Sequence, residues 1–168
     1  NRIFNVGAPQ LDDISHKINS SKLDVKLKEK IIVIFHPVLN EIKNFKKNIK
    51  NLYTALSKFN FEYYWIYPNN DLGYKILINF LKKKRSKIKV VRNLDRENFL
   101  DLLLETKAMI GNSSSGIIEA PSFKFPVINI GSRQNMRPQA SNIVNCRYET
   151  KDIINKINFI LKNKKFLK

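Results

Sequence analysis

The chain is poor in the residues that small proteins use as staples. Its single cysteine, Cys146, has no partner for an internal disulfide, and no CxxC pair or clustered His/Cys spacing suggests zinc. Cys146 therefore reads as a small buried or half-buried residue, not a nucleophile. Long apolar runs are lacking too. Segments such as Ile31 to Phe35 are far too short to span a bilayer, and nothing resembles a signal peptide. The expectation is a soluble cytoplasmic protein with no membrane role. No methionine opens the chain, which starts Asn1-Arg2-Ile3, as a piece of a longer protein would. With 168 residues it is still long enough for one domain with its own core.

Arginine is scarce as well, and that bears on the net charge of +17. Such a charge invites a nucleic-acid reading. Yet only 7 of the 31 basic residues are arginine, the side chain whose fork reads bases. Lysine, asparagine and isoleucine supply 67 of 168 residues, the bias of an AT-rich genome. Many lysines fall on polar faces of predicted helices: Lys43, Lys46, Lys47, Lys50, Lys82, Lys83, Lys84, Lys162, Lys164 and Lys165. A specific nucleic-acid partner is not expected. The basic surface should instead favour anionic ligands in general.

What is present is an alternation of strand and helix. Ile31–Phe35 is a β-branched run, the mark of a strand covered on both faces. Ile42, Phe45, Ile49, Leu52, Leu56 and Phe59 then recur at helical steps, predicting one helix. Glu62–Tyr67 is an aromatic strand whose alternation serves both sheet faces and so does not suggest a base-stacking platform. Pro68–Gly73 is a loop into a helix carrying Leu77, Ile78 and Leu81. Ile88–Val91 is a third strand. Asp95 is placed to cap a helix burying Phe99, Leu102 and Leu103. Ala108–Gly111 and Val127–Ile130 are core strands with a short helix between them, and Ile143–Val144 adds a last one. Thr150 is a candidate cap for a closing helix carrying Ile153, Ile154, Ile157, Ile160 and Leu161.

Repeated βα units predict an α/β fold: a Rossmann-like, doubly wound parallel sheet with ligands at the carboxyl ends of its strands. Residues 31–168 form the expected domain. Residues 1–30, with a Gly-Ala-Pro turn followed by the polar Ser15–Lys30, are expected to be an interdomain connection and the start of the domain.

The most informative loop is Gly111-Asn112-Ser113-Ser114-Ser115-Gly116, between a core strand and Ile117-Ile118-Glu119. Glycines and small hydroxyl residues at a strand-to-helix turn let an anion approach backbone N–H groups. The loop has no lysine, so it is not a Walker A phosphate loop. By itself, the pattern fits both an anion site and an ordinary serine-rich cap. Glu119, just past the helix start, has a carboxylate suited to vicinal ribose hydroxyls, or to the helix dipole alone. Pro121 removes a donor, so this helix must be short or irregular.

The stretch Met109 to Phe123, followed by Pro126 to Gln134 with its Gly131-Ser-Arg-Gln, resembles the C-terminal domain of hydrolysing UDP-N-acetylglucosamine 2-epimerases of the sialic-acid type. Phe4-Asn-Val-Gly-Ala-Pro, Phe35-His-Pro-Val, Tyr67-Pro-Asn-Asn-Asp and Leu94-Asp-Arg-Glu-Asn-Phe are in register with it. The resemblance implies the C-terminal half of a glycosyltransferase-B-like fold, with an active site in the cleft between two domains. It implies that Ser113, Ser114, His36 and Arg133 bind the UDP phosphates or adjoining sugar, that Glu119 binds ribose, and that Asn69 and Asp71 line the cleft. It places the uracil near Leu94.

The implied chemistry is elimination of UDP across sugar C1–C2, then hydration to N-acetylmannosamine, without metal or cofactor. Catalytic acid/base groups are expected on the family's N-terminal domain, since no matching carboxylate and histidine set occurs here. The implied partners are a UDP-sugar (UDP-N-acetylglucosamine or a UDP-diacetamido sugar), the enzyme's own N-terminal domain, and further copies of the full-length enzyme in a homo-oligomer. Two other classes stay open: a glycosyltransferase of the same architecture, and a non-enzymatic anion- or nucleic-acid-binding module.

Overall fold

In the computed structural model, residues 2–4, 6–20, 30–83, 88–92 and 94–163 are described. Lys84, Lys164 and Lys165 of the predicted polar faces lie outside them, as does much of the expected connection, residues 21–29.

Six strands form one sheet: β1 (Lys30–Ile34), β2 (Glu62–Ile66), β3 (Ile88–Val91), β4 (Thr106–Gly111), β5 (Val127–Ile130) and β6 (Ile143–Cys146). They are all parallel, in the order β3-β2-β1-β4-β5-β6. This is the doubly wound arrangement expected from repeated βα units. Chain progression reverses direction between β1 and β4, so the connections after these two neighbouring strands diverge, and in open α/β sheets this switch point is where ligands bind. His36 follows β1 and Asn112 follows β4, one on each side of that switch point.

Helices cover both faces. On one, α2 (Phe45–Leu56), α3 (Tyr74–Lys82) and α6 (Thr150–Lys162) pack over Ile31, Val33, Tyr63, Trp65, Ile110 and Ile128. On the other, α1 (Asp12–Ser20) and α4 (Arg96–Leu104) pack over Ile32, Ile34, Met109 and Val127. The alternation of Tyr63 and Trp65 into the first layer, and of Tyr64 and Ile66 toward the second, follows the period of two along β2. Cys146 is buried at the end of β6.

Several local expectations change. The Ile42–Phe59 stripe is not one helix: Leu39–Asn44 is a 3₁₀ segment, α2 begins at Phe45, and Phe59 lies beyond its end. In α4, Leu100 is buried along with the expected Leu102 and Leu103, while Phe99 is only half-buried. The last strand extends to Cys146. Thr150 is not a cap: it is the first residue of α6, and its hydroxyl donates to the Asn51 carbonyl at 3.3 Å, tying α6 to α2. Residues 12–20, within the expected connection and domain start of 1–30, are helical and packed on the domain, because Ile14 is fully buried against the second layer. Asp95 does cap α4, accepting from the Asn98 N–H at 2.9 Å.

Candidate functional site

Gly111 ends β4 where the chain must turn beside β1. Its φ is +143°, and a Cβ there would stand 1.9 Å from the Ile34 carbonyl oxygen. Only glycine allows this approach. The turn delivers Asn112, which is buried, against the loop after β1. The Asn112 N–H donates to the Ile34 carbonyl at 3.0 Å. Its carboxamide accepts from the His36 N–H at 2.7 Å and donates to the His36 carbonyl at 2.9 Å. Both functions of one side chain are thereby spent on one residue across the switch point.

The Asn112 carbonyl then gathers the loop after β5. It accepts from Arg133 Nη1 at 3.2 Å and from Gln134 Nε2 at 2.9 Å. Gln134 is buried, and its Oε1 has no hydrogen-bond partner among the described residues. From the loop after β2, the Asn69 N–H points at His36 Nδ1 at 3.4 Å. The Asp71 carboxylate lies 4.0 Å from both His36 Nδ1 and Arg133 Nη2. His36, Asn69, Asp71 and Arg133, taken from the loops after β1, β2 and β5, are therefore brought together around Asn112.

Burial removes His36 from water, and Arg133 adds like-charge repulsion. Together these push its pKa down to about 4, against a smaller opposing pull from Asp71. The imidazole is neutral near pH 7. With Nδ1 facing the Asn69 N–H, the proton belongs on Nε2, which becomes a donor.

Ser113 is the N-cap of α5 (Ser114–Ile118), its Oγ accepting from the Ser115 N–H at 3.3 Å. Ser114 opens the helix, and both serines are partly exposed. The helix is short, as Pro121 required, and passes into a 3₁₀ turn, Ala120–Phe123. Gly116 lets it sit close: a Cβ there would lie 3.0 Å from Val127 Cγ1.

Glu119 lies at the junction of these two turns and is buried. Its described partner is not in the His36 group: Arg96 Nη1 donates to its Oε1, on the α1 and α4 side of the sheet. Leu94, just before α4, packs on that same side.

Sequence reasoning quoted Asn112, Gln134 and Arg96 within motifs but gave them no role. A polar residue at the carboxyl end of a buried strand has to find partners there, and that signal could have marked Asn112. Glu41 was missed altogether. It accepts from the hydroxyls of Ser132 and Tyr148, bracing the loop that carries Arg133. Among the described residues, no group of three or more His, Cys, Asp or Glu side chains is placed to hold a metal ion, and no helix is long and apolar enough to cross a membrane.

A family model described as UDP-N-acetylglucosamine 2-epimerase matches residues 1–168. The chain is similar to UDP-N,N'-diacetylbacillosamine 2-epimerase (hydrolyzing) of Legionella pneumophila, 34% identical over 152 residues, covering 84% of this chain and 40% of that protein. It is similar to UDP-N-acetylglucosamine 2-epimerase of Neisseria meningitidis, 35% identical over 159 residues, covering 90% of this chain and 42% of that protein. The chain thus spans about two fifths of the length of these curated relatives. Among solved structures, Methanocaldococcus jannaschii UDP-GlcNAc 2-epimerase in complex with UDP-GlcNAc and UDP shares the fold at a TM-score of 0.72 and 16% identity, over 96% of this chain and 49% of that one.

Proposed function

Because the chain belongs to the UDP-N-acetylglucosamine 2-epimerase family, we propose that it is the UDP-binding half of a hydrolysing enzyme that converts a UDP-linked 2-acetamido sugar to its free C2 epimer and UDP. The observation that carries this reading is the Asn112 clamp. It gathers a neutral histidine donor, an arginine and a serine-capped helix start around one crevice at the switch point. That set is all donors, as a diphosphate requires.

In this reading His36 donates through Nε2, Arg133 and the Ser113 and Ser114 hydroxyls and N–H groups bind the diphosphate, and Glu119 accepts from the ribose. Asn69 and Asp71 line the cleft. When the proton at sugar C2 is removed and the C1–O bond breaks, negative charge grows on the departing diphosphate oxygen. Each well-placed donor lowers that barrier by about 3 kcal/mol. Hydration of the resulting glucal from the opposite face gives N-acetylmannosamine when UDP-N-acetylglucosamine is the substrate. A UDP-diacetamido sugar would follow the same route, and the two relatives are named for these two sugars.

Residues 31–168 act as the nucleotide-binding domain, and 1–30 as the connection to an N-terminal domain that supplies the acid/base groups. The full-length enzyme works in the cytoplasm as a homo-oligomer and needs no metal or cofactor.

The test is a pair of titrations, UDP and inorganic pyrophosphate, on the wild-type chain and on Glu119→Ala, Arg133→Ala and Ser113→Ala. Arg133→Ala and Ser113→Ala should weaken both ligands. Glu119→Ala should weaken UDP by about 1.5–3 kcal/mol and spare pyrophosphate, which has no ribose. An unchanged UDP-to-pyrophosphate ratio in folded Glu119→Ala removes the ribose role.

A further inference from the structure

Arg96, the first residue of α4, holds two carboxylates that belong to different parts of the molecule. Its Nε and Nη2 donate to the two oxygens of Asp13 at 2.8 and 2.9 Å, and Nη2 also donates to the Gln10 carbonyl at 2.8 Å. Its Nη1 donates to Glu119 Oε1. The Asp13 hydrogen bonds, followed by Glu119, hold the guanidinium above its ordinary range. Asp13 is itself anchored: Ile14 beside it is fully buried, and one turn on, Lys17 pairs with Asp101 of α4 at 2.7 Å.

A buried carboxylate requires a partner, and a planar fork also fixes its direction. The Glu119 side chain is 8% exposed, whereas Arg96 is 39% exposed, so the guanidinium reaches inward to a group that water scarcely touches. Arg96 engages Oε1, and a carboxylate offers about four acceptor sites. Ribose hydroxyls can therefore be accepted without breaking the pair.

We propose that Arg96 is a positioning residue for nucleotide recognition, fixing the Glu119 carboxylate for the ribose and tying that placement to α1 through Asp13 and the Gln10 carbonyl. This rests on Glu119 being the ribose ligand. The uracil-side wall and the segment entering the domain then share one guanidinium, so anything that shifts α1 alters ribose affinity.

A purely structural brace would give a different result. If Arg96 only docked α1, its loss would lower stability and leave the UDP-to-pyrophosphate ratio alone. The ratio also cancels the general loss of positive charge, which weakens both anions alike.

The experiment titrates both ligands into the 168-residue chain, Glu119→Ala, Arg96→Ala, the double variant and Asp13→Asn, with circular dichroism confirming the fold of each. Glu119→Ala should lower the ratio about tenfold or more. Arg96→Ala should lower it about threefold to tenfold, and the double variant should fall no further than Glu119→Ala, as expected for residues acting in series. Asp13→Asn, an exposed and mild change, should move the ratio the same way. With the Glu119→Ala ratio lowered, an unchanged ratio in Arg96→Ala and Asp13→Asn, or effects that multiply in the double variant, would overturn the proposal. Should Arg96→Ala fail to fold, Asp13→Asn decides. An unchanged ratio in Glu119→Ala removes the ribose reading, and this inference with it.

Discussion

The Asn112 carboxamide binds both the N–H and the C=O of His36, at 2.7 and 2.9 Å, across 76 residues of sequence. An amide satisfies one residue's donor and acceptor together, and neither a carboxylate nor a hydroxyl matches both in that geometry. Asn112→Asp keeps an acceptor for the His36 N–H but turns an oxygen toward the His36 carbonyl. Asn112→Ala leaves two buried backbone groups unpaired. Each change should destabilise the chain by about 2–4 kcal/mol, read by urea unfolding. Each should also weaken UDP and pyrophosphate alike, because it displaces His36 and Arg133 without touching Glu119.

The depressed pKa of His36 makes a pH prediction. The folded value, about 4, lies below the ordinary imidazole value of 6.5. Between these values the unfolded chain binds the proton and the folded chain does not, so acid favours unfolding. The contribution is intact above pH 6.5 and is lost as pH falls toward 4, at up to about 1.4 kcal/mol per pH unit. Urea unfolding at pH 4.5, 5.5 and 6.5 should show this slope, and His36→Asn should flatten it. An equal slope in both proteins would mean that other groups carry the acid sensitivity.

Gly111→Ala should be among the most damaging small substitutions in the chain. The added methyl meets a backbone oxygen that cannot swing away, and φ of +143° is strained for any side chain. A loss of about 3 kcal/mol or more, or failure to fold, is expected from thermal melts. A variant of wild-type stability would contradict the close β1–β4 approach.

The chain alone should turn over no UDP-N-acetylglucosamine. In the proposed function its residues build one wall of a cleft, and aligned chemistry needs groups from both walls. Released UDP, assayed against an Arg133→Ala/Glu119→Ala control, checks this. Clear turnover above the control would place the acid/base groups in this half.

The sheet was legible because each strand is a short apolar run bounded by loops, and parallel strands covered on both faces carry little else. Of the candidate site, what could be read locally is that polar residues follow strands: His36, Asn69, Asp71 and Arg133, which the fold gathers, and Ser113, which caps α5. What local pattern could not show is pairing over distance. Arg96 meets Glu119 across 23 residues and Asp13 across 83, and nothing near any of the three announces a partner. Helix α1 was hidden for a related reason: its polar sequence buries one residue, Ile14, and its docking depends on α4. Thr150 shows propensity overridden by tertiary contact, its hydroxyl taken by Asn51 instead of by its own helix.

Isothermal titration of UDP into the 168-residue chain, with and without EDTA and at two salt concentrations, most directly decides whether this chain carries a nucleotide site. Saturable one-to-one binding that chelation leaves unchanged is expected, because the loops at the switch point offer donors and, among the described residues, no carboxylate cluster for magnesium. Double-stranded DNA should bind only weakly and fade steeply with salt. No heat of UDP binding in either condition, or salt-resistant DNA binding in its place, would contradict the nucleotide-site reading.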